Sequence, residues 1–343
     1  MSAVGGLHAE TAPVREGRRS EAARAPAPGT GAPAAERKRG VARFLLPAGL
    51  TAVVLTMALA PFLLVIVISF GQKIDGAAWE WALTAENYRR FFVGASWPEQ
   101  TTFLYLQQLF FSLYYAVIAS VLAVFTALPF TWCLTRLSRK AQAAWLVFLL
   151  SSLALSEVFI VMGWDILLSN NSGIPALFRS TGLTDWLKAN GWFEVLREWG
   201  LANPRNVKFK TSDFATILTM SYLVWPYAVI LLYPALSRLD PSLAEAARTM
   251  GARPATVART VILPAVRLPL IGATFLLFVF LLGTYVAVTV FADPARHTMA
   301  VSIYDNVRGA NLNAPFGAAQ AVVLLITAGT FLAIGQRLTR REA

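Results

Sequence analysis

Charge is scarce in this 343-residue chain: Asp, Glu, Lys and Arg together make up 14% of it, against 56% hydrophobic residues. A soluble globular domain carries about 25% charged residues, so the composition argues against an ordinary soluble enzyme. Cysteine occurs once, at Cys133, which excludes a disulfide within the chain. The two histidines, His8 and His297, are too far apart in sequence to suggest a shared metal or acid–base site. We therefore expect no metal, no cofactor and no catalytic residue. The phosphate-cradling pattern G-x-x-x-x-G-K-[ST] is also missing, and with it the usual means of binding and hydrolysing ATP.

What the chain has instead is length without charge. A helix rises about 1.5 Å per residue and needs ~20 mostly apolar residues to cross a bilayer. Six stretches meet this: 44–70, 109–135, 143–168, 214–236, 268–292 and 314–336. Membrane-barrel strands would be about half as long. The predicted fold is an all-α membrane protein with six spans.

The net charge of +11 could signal nucleic acid, but its distribution favours a topology signal. The connections sharing a side with the termini hold 19 of the Lys and Arg residues; the other side holds 11. With acids included the two sides carry +12 and +1, which predicts both termini in the cytoplasm. Residues 1–43, rich in Ala, Pro, Gly and Arg before the first span, are expected to be a disordered cytoplasmic tail. Residues 44–343 would form the membrane domain.

Two outer connections, 71–108 and 169–213, are long and carry most of the tryptophans. Their aromatic rings suit the headgroup level, and short amphipathic helices are expected around Leu183–Leu187 and Phe193–Leu196. An external partner could dock there.

The third span contains Glu157 and Asp165. Charges within a span are costly and usually face a cavity. Eight residues is about two helical turns, so the two can share a face. Trp164 beside Asp165 offers an aromatic surface to a cation. Trp225, Pro226 and Tyr227 within the fourth span, and Tyr285 within the fifth, are further candidates for lining a solute path.

Residues 237–267 differ from every other connection. Asp240-Pro241 is a helix start, an N-cap oxygen followed by a preset φ. Good helix formers follow as far as Met250, and Gly251 stands where a C′ glycine ends a helix. Arg253-Pro254 opens a second helix. Leu243, Ala246, Ala247 and Met250 are expected on one apolar face. The spacing is Glu245-Ala246-Ala247, three residues, Gly251, nine residues, then Val261-Ile262-Leu263-Pro264.

That spacing resembles the EAA motif of ABC-importer permease subunits, with Val261 where the family has Ile. The resemblance runs from about Phe44 to the end. Glu86-Asn87-Tyr88, Leu239–Arg248 and Pro315–Ala319 are similar to segments of spermidine/putrescine-type permeases, and permeases for iron, opines, phosphonates and sulfate carry related ones. The resemblance implies a type I importer permease fold in a bacterial inner membrane. The implied partners are a separate ATPase subunit, a second permease subunit and an extracytoplasmic solute-binding protein, with no nucleic acid. It implies that Glu245, Ala246, Ala247, Gly251, Leu263 and Pro264 form the coupling element that meets the ATPase. The implied solute is a polyamine or a related small charged compound. A stand-alone channel or ion-driven transporter is the alternative class, and it would have no use for the EAA loop.

Overall fold

The computed structural model describes residues 34–74, 79–309 and 311–342, with side chains described between 49 and 337. The tail expected at 1–43 falls mostly outside these residues. Helix α1 (Ala34–Ser69) begins before Phe44. The chain divides into two units, one ending at Leu59 within α1 and one running from Ala60 to Ala343.

In the second unit, the spans are helices because hydrocarbon offers no partner for an unpaired backbone group. Those expected second, fourth and sixth are α3 (Leu104–Leu134), α9 (Asp213–Ser237) and α15 (Ala314–Glu342). α3 and α9 pack together at the centre, and α12 (Leu263–Leu282) packs on both. Ala116, Ala119, Ser120, Ala123 and Ala127 form a buried stripe on α3. Small residues at this spacing let helix backbones approach closely.

Two spans depart from expectation. The third is not one helix: α4 (Arg139–Leu153) and α5 (Glu157–Leu167) meet at a 95° bend. Ser151 and Ser152 return their hydroxyls to the carbonyls of Val147 and Leu149, a pattern that bends helices. Ser156 then adopts extended backbone and starts a new helix. Glu157 consequently sits in a first turn rather than in mid-helix.

The fifth span begins far upstream of residue 268. α11 (Pro254–Val257), a π turn (Ala258–Ile262) and α12 follow one another without a break. Pro264 has no N–H for the carbonyl four residues before it, and the wider π turn precedes it. At the far end the helix stops at Leu282, not at residue 292. Gly283 and Thr284, both poor helix formers, interrupt it before the short α13 (Val286–Phe291).

The three connections expected on the outer side hold short helices. The first holds α2 (Glu86–Val93). The second holds α6 (Ile174–Ser180), α7 (Leu183–Ala189) and α8 (Trp192–Glu198). Asn206 organises this lobe: its amide donates to the Pro175 carbonyl, and its oxygen accepts from the Val207 N–H and the Thr184 hydroxyl. The last holds a 3₁₀ turn (Pro294–Arg296) and α14 (Met299–Val307), bound to α15 by a buried Ser302–Asn306–Gln320 network. The Asp213 carboxylate, opening α9, accepts from Tyr115 on α3 at 2.7 Å and pairs with Arg296.

Candidate functional site

Two places carry the residues singled out by the sequence. The first is α10 (Pro241–Thr249), between α9 and α11. The Asp240 carboxylate accepts from the Ser242 N–H at 2.9 Å, and this bond holds its pKa below the ordinary carboxylate range. At the other end, the Gly251 N–H donates to the Arg248 carbonyl and the Ala252 N–H to the Ala247 carbonyl. That bond pair is the Schellman cap, and it sets Gly251 at φ +83°. A side chain at Gly251 would meet nothing within 4 Å, so the glycine is required by conformation, not by space.

The apolar face of α10 is arranged differently from expectation. Ala247 turns inward with Ala244, and both pack with Val257 against Trp132 of α3. The Arg136 guanidinium lies 4.1 Å over that tryptophan ring. Leu243, Ala246 and Met250 face outward beside the exposed Glu245, with Met250 82% exposed. The helical period explains the split: residues three apart share the packed face, and those flanking them do not. Leu263 and Pro264 are exposed at the start of α12. The helix thus presents a small polar-and-apolar face outward while its back is fixed to two spans.

The second place is a cleft along α5 and α9. A cavity of about 110 Å³ is lined by Glu157, Ile160, Tyr222, Pro226, Tyr227 and Phe280. A second, of about 290 Å³, shares Leu155, Ile160 and Tyr222 with it and runs on past Gly163 and Trp164. Trp164 and Tyr222 meet edge to face at 5.4 Å, and Tyr227 lies 5.5 Å from Phe280. Glu157 is the acid of this cleft. Its Oε1 is shielded from solvent and has no hydrogen-bond partner. The carboxylate faces the backbone N–H groups of Ala287 and Val286 at the start of α13.

The remaining candidates separate. Asp165 pairs with Lys210, from the loop before α9, at 2.5 Å. Trp225 turns to Phe130 on α3, ring centroids 4.8 Å apart, and does not line either cavity. Tyr285 stacks on Tyr304 at 4.6 Å. Pro226 and Tyr227, expected from the sequence, line the first cavity, whereas sequence reasoning missed Tyr222 and Phe280. The aromatic run around Pro226 was the available signal, but it could not say which rings faced the cleft.

The family described as "Binding-protein-dependent transport system inner membrane component" matches residues 123–342. The spermidine/putrescine transport system permease protein PotB of Escherichia coli K12 is 28% identical over 281 residues, covering 82% of this chain and 91% of that relative. The fold is similar to that of a bacterial ABC transporter involved in import of the acidic polysaccharide alginate, with a TM-score of 0.61 and 14% identity over 89% of this chain and 99% of that one. A second structure of a bacterial alginate transporter, in complex with alginate pentasaccharide-bound periplasmic protein, gives 0.57 and 16% over 88% and 96%.

Proposed function

Since the chain belongs to the binding-protein-dependent transport system inner membrane components, the permease subunits of ABC importers, we propose that it forms half of a path for a polyamine or similar cationic amine. A second permease subunit supplies the other half, and a separate ATPase drives the cycle through α10. An extracytoplasmic binding protein delivers the solute, and both termini lie in the cytoplasm.

Glu157 carries the solute reading. A carboxylate with a shielded, unpartnered oxygen, set among Tyr222, Tyr227 and Phe280, suits an ammonium group and its methylene chain. The PotB relative's name supports the same solute class. For coupling, the support is the EAA spacing on a helix capped at both ends, with Glu245 outward and Ala244 and Ala247 packed on the spans. An ATPase that moves α10 therefore moves α3 and α12 as well.

The test is uptake of radiolabelled spermidine by proteoliposomes holding the assembled complex. Uptake should require ATP and should fall when Glu157 is replaced by Gln. ATP-independent flux would indicate a channel, and uptake at the parent rate by the Glu157→Gln complex would remove the carboxylate as a solute ligand.

A further inference from the structure

The α10 loop and the body of the spans hold separate apolar clusters. Ala244, Ala247 and Val257 form the small one, with Ala252 and Val261 at its margin. The large one includes buried residues of α3, α9 and α12. Among the described residues one side chain packs against both: the half-buried indole of Trp132, near the end of α3. It is also the one member of the small cluster outside residues 244–261. Along the chain itself, α10 is tied to α9 by residues 238–240 and to α12 through α11 and the π turn.

The surroundings suit this indole to carry a displacement. Its partners on α10 are alanines, which have no side-chain rotamers to absorb a push. The Arg136 guanidinium, one turn on, lies 4.1 Å over the ring and favours its present setting. Two residues before Trp132, the Phe130 ring meets Trp225 of α9 at 4.8 Å, and Trp225 adjoins Pro226 and Tyr227 of the cleft wall. Interiors packed this closely have little free volume and transmit strain.

Resting on the coupling reading above, we propose that Trp132 is a positioning residue of the transport cycle: its indole is the contact through which a displacement of α10 reaches the α3–α9 pair, and with it the cleft wall, separately from the covalent route through α11 and α12. Without the indole, α10 keeps its caps and its outward face and still meets the ATPase. Its inward face then pushes on a void, and hydrolysis no longer moves solute in proportion.

The experiment measures ATP hydrolysed per spermidine transported by the assembled complex in proteoliposomes, with loaded binding protein at saturation. Trp132→Ala should raise that ratio at least about fivefold, the low end of ordinary coupling free energies, with co-purification of the ATPase unchanged. Trp132→Phe should recover most of the coupling, and Arg136→Gln should raise the ratio less than Trp132→Ala does. A solute-free measurement runs beside it: the alkylation rate of a Gly163→Cys, Cys133→Ser complex, with and without ATP. Trp132→Ala should shrink the ATP-dependent change in that rate. An indole that only stabilises the fold predicts fewer complexes, each with the parent ratio and the parent alkylation change. That result, or no ATP-dependent change in the parent, overturns the proposal. If Trp132→Ala fails to assemble, Trp132→Leu takes its place and the same two readouts decide. Glu245→Lys separates the two readings. If it weakens ATPase association while the Trp132 variants behave as the parent, only this inference falls. If it alters neither association nor uptake, the coupling reading falls.

Discussion

The α10 loop and the cleft along α5 and α9 are built on opposite principles. In the loop, nearly every determinant is local. Asp240 caps the helix it precedes, Gly251 ends it eleven residues later through a pair of backbone bonds, and Pro254 opens the next. In the cleft nothing is local. Glu157, Tyr222, Tyr227 and Phe280 come from three helices, and the bend that exposes Glu157 lies between two halves of a span. A site assembled from neighbours in sequence tolerates little change in backbone type. One assembled across helices should respond mainly to side-chain chemistry.

The sharpest test of that contrast is Gly251→Val. A β-branched residue at φ +83° is strongly disfavoured, at a cost of at least about 1–2 kcal/mol. Uptake should be abolished and co-purification with the ATPase weakened, while membrane insertion persists. Gly251→Asn, which tolerates a positive φ, should be far milder. Equal effects would mean that side-chain bulk rather than backbone conformation matters there, although a side chain would meet nothing. Glu245→Lys, which leaves the caps intact, should lower ATPase association without disturbing the helix by circular dichroism.

Next in size is the cleft. Glu157→Gln preserves shape and should slow amine uptake about tenfold, equivalent to about 1.4 kcal/mol, without reducing assembly. Reduced assembly instead would show that the acid holds α5 to α13.

Topology offers a whole-molecule check. Reporter fusions at Thr256 should read cytoplasmic and those at Asn190 external. An external reading at Thr256 would place the loop on the wrong side for any ATPase.

The smallest effect concerns pH. The Asp240 pKa is lowered by the Ser242 N–H, so the cap contributes above the ordinary carboxylate range and is lost as pH falls through the lowered value. The protection factors of α10 amides, exchange relative to the intrinsic rate at each pH, should therefore be constant from neutral pH down to about 4 and fall below it. Asp240→Ala should remove that pH dependence.

The same contrast explains what could be read from the chain alone. The spans of α3, α9 and α15 follow from composition; the ends of α9 lie one residue from expectation, while α3 starts five residues early and α15 runs six further. Both ends of α10 follow from capping rules. The bend at Ser156 did not show, because apolar composition is continuous across it and hydropathy does not sense serine back-bonding. The start of α12 was misplaced for a related reason: Arg259 and Arg267 interrupt the apolar run but not the helix. Asp165 was identified as a candidate acid, yet its partner Lys210 lies 45 residues away, beyond the reach of any pattern. Trp225 and Tyr222 occupy one helix, and only packing decides that the first faces α3 and the second the cleft.

The unbroken run from Pro254 to Leu282 has a mechanical consequence. It is 29 residues long, which makes it a rod of about 43 Å reaching from the α10 loop to the interruption at Gly283. A tilt of about 5° about its Pro254 end displaces the far end by about 4 Å. The rod ends next to α13, whose first N–H groups face Glu157. On the coupling reading proposed above, a small tilt imposed through α10 is thus enlarged at the Gly283 end of the rod.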